Sequence, residues 1–152
     1  HGGVFSADGL FVLTTADDGT CVITDLSTGT HQTLKHKASV RAAAISFDHT
    51  QTLTGSFDWS AIYKNWTTGE QKIFEFKGAV RSTAFSPNGN LIIMGSDDKT
   101  ALLVDLISGK QRVIEHESAV MITLFSPDGK SVFTGTSNGD ALITPVAFEA
   151  SY

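Results

Sequence analysis

The chain has 152 residues, of which 41% are apolar and 18% charged, with a formal net charge of −5; these values fit one folded, water-soluble domain. Acidic and basic residues are interspersed, without the clustered Lys/Arg that a phosphate-binding surface needs, so nucleic acid is not an expected partner. No apolar run approaches the about 18 residues of a membrane span, no signal-peptide pattern opens the chain, and the single Cys21 makes neither an internal disulfide nor a zinc site; no membrane partner and a cytoplasmic location are expected.

The first residue is His1, which suggests a piece cut from something longer, with tag remnants in His1-Gly2-Gly3. From there one pattern organises the chain. Phe5-Ser6-Ala7-Asp8-Gly9 returns as Ile45-Ser46-Phe47-Asp48-His49, Phe85-Ser86-Pro87-Asn88-Gly89 and Phe125-Ser126-Pro127-Asp128-Gly129, a period of forty without insertion. Such a period signals a repeat architecture. In each unit the Ser-x-Asp-Gly segment reads as a turn whose Gly suits a left-handed backbone. His49 replaces that Gly, so the second turn is expected to be strained or wider.

A strand follows at Val12-Leu13, Thr52-Leu53, Ile92-Ile93 and Val132-Phe133, then a tight hairpin at Asp17-Asp18-Gly19, Phe57-Asp58-Trp59, Asp97-Asp98-Lys99 and Ser137-Asn138-Gly139. The next strand carries Cys21-Val22-Ile23, Ala61-Ile62-Tyr63, Ala101-Leu102-Leu103 and Ala141-Leu142-Ile143, and turns at Gly29, Gly69 and Gly109. A shorter, more polar strand holds Leu34, Phe74 and Ile114, and Val40, Val80 and Val120 lead into the next unit. Each unit is thus four short strands without a helical period, too small to bury both faces alone. Stacking the sheets radially solves this. Adjacent aliphatic residues such as Leu102-Leu103 fit strands covered on both sides, and the position shared by Val22, Ile62, Leu102 and Leu142 is expected to be buried in every unit.

At these residues the chain resembles the WD-repeat (WD40) family of β-propellers, from Val4 to Ile143. The resemblance rests on the Phe-Ser-Pro-Asp-Gly turn, the Gly-Ser-x-Asp hairpin, the turn Gly of the next loop and a His nine residues before the Phe. It implies an all-β fold of four-stranded antiparallel blades, about four in this chain, as one segment over 1–152 with units 4–35, 36–75, 76–115 and 116–152. The Trp-Asp pair that names the family is replaced by Thr24-Asp25, Lys64-Asn65, Val104-Asp105 and Thr144-Pro145. The family often links His, Ser/Thr, Asp and Trp by hydrogen bonds within a blade. Here the matching positions are His36, Phe76 and His116, with Asp18, Asp58, Asp98 and Asn138, so no blade completes the set and turns with core packing are expected to hold the fold.

Few residues suggest chemistry. His36 and His116 stand two repeats apart with Phe76 between them, in the position of the family's structural His, and Asp18, Asp58 and Asp98 fall in separate hairpins where a carboxylate accepts turn amides; all five are read as structural, with Gly29, Gly69 and Gly109. Cys21 shares its position with alanines and is read as core, and Trp66 matches Leu26 and Leu106 and is read as packing. No nucleophile–base pair, phosphate-cradling loop or metal-ligand spacing stands out, so neither a catalytic residue nor a cofactor or metal is expected. Two residues resist the structural reading. Trp59 occupies a turn position that favours φ > 0 and should project from the surface, and Phe57 stands where the other units have Asp17, Asp97 and Ser137. The resemblance puts that position near one mouth of the channel, where partners commonly dock. Arg41 and Arg81 begin the innermost strands and either bind an anionic partner or pair with the hairpin carboxylates, the latter favoured. Phe57, Trp59, Asp17, Asp97, Arg41 and Arg81 are therefore the candidate partner-binding residues.

Propellers typically close with about 4–8 blades. The four units form a small ring alone, half of an eight-bladed homodimer, or part of a longer propeller; partnership with a second copy or with further blades is favoured. The functional expectation is a non-catalytic scaffold for a protein or peptide partner. The alternatives are a sensor or regulatory module of a larger multidomain protein, and an excised or engineered fragment that self-assembles.

Overall fold

The computed structural model describes residues 2–148. Fifteen strands lie in four antiparallel sheets, and each sheet takes its strands in chain order. The first sheet comprises β1 (Gly2–Phe5), β2 (Phe11–Thr15), β3 (Thr20–Asp25) and β4 (His31–Lys35). The second holds β5 (Val40–Ile45), β6 (Gln51–Ser56), β7 (Ser60–Asn65) and β8 (Gln71–Glu75), and the third β9 (Val80–Phe85), β10 (Leu91–Ser96), β11 (Thr100–Asp105) and β12 (Gln111–Glu115). The fourth has three strands among the described residues: β13 (Val120–Phe125), β14 (Ser131–Thr136) and β15 (Ala141–Pro145). Gly2 and Gly3 pair with Thr15 and Thr14 as the first residues of β1, while His1 lies outside the described residues.

The turn that repeats in the sequence is a polar clamp. The hydroxyls of Ser6, Ser46, Ser86 and Ser126 donate to Asp8, Asp48, Asn88 and Asp128 at 2.6, 2.7, 2.8 and 2.6 Å. Each hydroxyl also accepts the amide of the residue opening the next strand, and each Asp or Asn side chain accepts the amide two residues on. His49 takes up the left-handed backbone of its glycine counterparts, with φ of 58°, and still closes the turn to the Ser46 carbonyl at 3.0 Å. The second turn is therefore strained but not wider; stacking of His49 on Phe11 at 4.6 Å and its contact with Asp8 at 2.9 Å hold it.

The core consists of three interfaces between successive sheets. Leu13, Cys21, Ile23 and Leu34 of the first sheet pack on Val40 and Ile62 of the second. Leu53, Ala61, Tyr63 and Phe74 pack on Ile92, Met94 and Val104 of the third, and Ile93, Ala101, Leu103 and Ile114 on Val120 and Val132 of the fourth. The same positions recur because a forty-residue period returns each side chain to the same face. Trp66 packs as expected against the first interface, with its indole donating to Thr52 at 2.9 Å.

One expectation is corrected. The position of Val22, Ile62, Leu102 and Leu142 is not buried in every unit: Ile62 is 6% exposed, Val22 and Leu102 are partly buried, and Leu142 is 44% exposed. The neighbouring position of Leu103 is the uniform core of the three four-stranded sheets, because it faces the following sheet. Leu103→Asp should abolish cooperative thermal unfolding, since an unpaired buried carboxylate costs several kcal/mol, a large share of the ~5–15 kcal/mol of a typical domain. Circular dichroism melting of the variant checks this; a wild-type-like transition contradicts the assignment.

Candidate functional site

In an antiparallel sheet the second-to-third strand hairpin and the start of the first strand lie at the same end. That end is built by a backbone irregularity. Val40 pairs with Ser56 and Ala42 with Gly55, so Arg41 is bulged out of the ladder; Arg81 and Met121 are bulged in the same way. A bulge re-aims its side chain. Here it turns Arg41 and Arg81 toward the hairpins of their own and the preceding sheet. The bulge leaves the period of forty intact, so no spacing in the sequence announces it.

The result is a line across three sheets. Asp17 accepts from the Ser39 hydroxyl at 2.8 Å and lies 3.4 Å from Arg41 Nη2. The Arg41 guanidinium carbon stands 5.1 Å from the centre of the Phe57 ring, and that of Arg81 stands 4.6 Å from it. Arg81 then donates Nε and Nη2 to the two oxygens of Asp97 at 2.9 and 2.8 Å, a paired geometry that raises its pKa further. Five of the six candidate residues thus form one array of alternating carboxylate, guanidinium and ring. Phe57 is only half-exposed because it lies between the two arginines. Both arginines pair with hairpin carboxylates, the alternative the sequence favoured. Trp59 stands outside this line. It holds φ of 72° and is 55% exposed, as its turn position requires.

The residues read as structural occupy structural surroundings. Gly29, Gly69 and Gly109 adopt φ of 74°, 80° and 76°. Asp18, Asp58 and Asp98 each accept the amide two residues on, from Thr20, Ser60 and Thr100. Asp58 and Asp98 also accept the amides of Lys37 and Lys77 across the loop. His36 is buried: Nδ1 lies 3.1 Å from Asp58 and Nε2 2.8 Å from the Thr54 hydroxyl. Three of the four linked side chains therefore assemble here without a Trp, so polar bonds assist packing in the second sheet, contrary to the expectation from its missing Trp. Among the described residues His116 makes no counterpart, and its buried Nε2 has no partner there. Burial pushes the Cys21 thiol up to about 11, which leaves it unreactive at neutral pH.

At the opposite end, the Phe-Ser turns of all four sheets surround a hollow of about 490 Å³ lined by Phe5, Phe47, Phe85, Pro87, Phe125 and Pro127. Among the described residues no group of three or more His, Cys, Asp or Glu side chains is placed to hold a metal ion, and no helix is long and apolar enough to cross a membrane.

These sheets define an all-β protein of WD40-type propeller blades. The family model described as WD domain, G-beta repeat matches residues 70–105, which run from β8 to β11 and so join the outer strand of one blade to three strands of the next. That segment matches a WD repeat, and the repeated four-stranded sheets are consistent with a WD-repeat propeller whose units lack the Trp-Asp pair. No curated protein matches it.

Burial lowers the His36 pKa below 6.5, against the opposing pull of Asp58, and burial also lowers that of His116. The unfolded chain therefore takes up protons at higher pH than the folded one, and stability present above pH 6.5 is lost as pH falls. The melting temperature should drop between about pH 7 and about pH 5, and His36→Gln should flatten part of that slope. A melting temperature that rises as pH falls through this window contradicts the buried neutral His36.

Proposed function

We propose that this chain is a non-catalytic scaffold that docks a protein or peptide partner on the array of Asp17, Arg41, Phe57, Arg81 and Asp97. The observation that carries the reading is the Phe57 ring held between two guanidiniums at 5.1 and 4.6 Å. Exposed arginines and aromatics are enriched among the residues that dominate binding energy. Their neighbouring carboxylates leave the array balanced in charge, which suits a mixed peptide surface better than a phosphate backbone. Trp59 flanks the site on the same hairpin and extends it. The setting is intracellular, where the single buried thiol stays reduced.

A specific observation favours a shared ring as well. Ile143 of the fourth blade is 71% exposed, whereas Ile23, Tyr63 and Leu103 at the same position are 7%, 3% and 0% exposed beneath the following blade. On the opposite side of the array, Phe5 and Leu26 of the first blade are exposed where their counterparts Ile45 and Trp66 pack on the preceding blade. The 1–152 segment is then one set of blades whose end faces are covered by further blades of the same kind. A second copy supplying four closes an eight-bladed homodimer; the remaining blades of a longer chain fill the same place.

The docking reading is tested by recovering a binding protein from cell extract with the wild-type chain, purifying it and titrating it against variants. Phe57→Ala should weaken its binding at least about tenfold without shifting the melting temperature, in line with hot-spot truncations of ~2 kcal/mol or more. Undiminished affinity for folded Phe57→Ala and Arg81→Ala variants removes the site.

A further inference from the structure

A period of forty returns each position to the same place, so residues that depart from their counterparts are informative by where they meet. Three such departures meet in the seam between the first and second blades. Phe11 stands where the other blades have Gln51, Leu91 and Ser131, and Trp66 where they have Leu26, Leu106 and Val146. His49 stands where they have Gly9, Gly89 and Gly129. Each is the one ring-bearing residue at its position. All three line a single hollow of about 300 Å³, together with the buried Ile23. The hollow lies at the end of the blades that carries the Ser–Asp turns, opposite the Phe57 array.

The next two seams are bridged at the corresponding place. Between the second and third blades, the Gln51 side chain donates to the Gly89 carbonyl at 3.2 Å and accepts from the Tyr63 hydroxyl. A Cβ at Gly89 would stand 3.0 Å from the Gln51 amide nitrogen, so a side chain there would crowd the bridge. Between the third and fourth, Arg112 donates to the Pro145 and Ala147 carbonyls at 3.2 Å, and Val146 packs. In the first seam Ile23 holds the place of Tyr63 and Gln32 that of Arg112, and the space stays open.

The walls of the hollow are held in place. His49 keeps a left-handed backbone that is uncommon outside glycine, and its ring stacks on Phe11 with an interplanar angle of 19°. Trp66 is pinned by its bond to Thr52, and Lys64 Nζ stands 4.6 Å from its ring centre. All three rings are only partly buried, which leaves ring surface accessible. Asp25 is the one carboxylate of the lining, and among the described residues no Lys or Arg joins it. The Ser27 hydroxyl and amide donate to Asp25 Oδ1 at 2.6 and 2.9 Å and hold its carboxyl below the usual range, so it is ionised at neutral pH. Such a lining disfavours phosphates and carboxylates, offers ring faces for stacking and calls for a hydrogen-bond donor.

We propose that this seam binds a small planar heteroaromatic molecule that carries an N–H, its face stacked on the aromatic walls and its N–H donated to Asp25. Apolar and aromatic walls with a few placed polar groups are the usual make-up of a small-molecule site. The volume lies at the lower end of the about 300–1,000 Å³ of such pockets, which suits one fused-ring system rather than a longer ligand. The site is separate from the Phe57 array, and the two blades that build it are described from β1 to β8, so ring closure does not enter the reading.

The probe is indole, titrated into the isotope-labelled full chain and read by two-dimensional NMR, with benzofuran, which has oxygen in place of the N–H, as comparator. The Trp66 Nε1–H and the His31 and Thr50 amides should shift saturably with indole. Trp59 Nε1–H, at the opposite end, should stay in place, a contrast that general stickiness does not produce. Benzofuran should bind about tenfold more weakly, the loss of one hydrogen bond to a charged group. Asp25→Asn, the residue type of the second blade at this position, should reduce that preference. Trp66→Leu, which gives the seam the side chain of the first and third blades, should remove indole binding while the chain still melts cooperatively. Phe57→Ala should leave the titration unchanged. The proposal is overturned by no saturable shift at millimolar indole, equal shifts of Trp59 and Trp66, an unchanged preference in the folded Asp25→Asn chain, or retained binding by the folded Trp66→Leu chain. Tighter binding of the tripeptide Gly-Trp-Gly than of indole would also overturn it, by assigning the pocket to a partner's side chain.

Discussion

Each blade has two apolar faces, and neither is tenable in water without a neighbour, because a four-stranded sheet is too thin to hold a core of its own. The rest of the structure follows from that constraint. Leu103, Tyr63 and Ile23 disappear beneath the following blade, while Ile143 stands open at the same position. The core is therefore distributed over the seams between sheets, and a mutation at one seam destabilises two blades. Such arrays gain stability mainly from nearest-neighbour contacts.

Polar clamps determine how the blades can meet. The Ser–Asp turn consumes its own amides, so the chain reverses direction without leaving backbone donors bare at the blade end. Asp58 and Asp98 tie the hairpin to the loop that leads into the same blade. In the second blade His36 extends that tie to Thr54. The third blade keeps the Asp98 clamp with Phe76 in place of the His, which shows that the carboxylate, not the imidazole, is the part common to both.

Much of this was legible in the sequence. The interval between Phe5, Ile45, Phe85 and Phe125 specified the number of units, and Gly29, Gly69 and Gly109 marked real left-handed turns. Trp59 was recognisable as exposed because its neighbours at that position are Gly, Lys and Gly. The candidate site was half legible. Phe57, Asp17 and Asp97 stood out as a repeated position, but their meeting with Arg41 and Arg81 depends on a bulge that adds no residue to the period. Leu142 misled because Ile62 and Leu102 pack on the preceding sheet, and a column of similar residues does not reveal how far each of them is covered. The His36 network was underestimated because the family pattern was read as all or none, whereas three members bond without the fourth.

The account turns on the end faces being the same kind of surface as the internal seams. Light scattering of the purified chain at micromolar concentration measures this most directly, alongside an Ile143→Glu variant. The account predicts a discrete species of twice the 16.2 kDa chain mass that the variant dissociates. A stable, non-associating monomer for both proteins would contradict it.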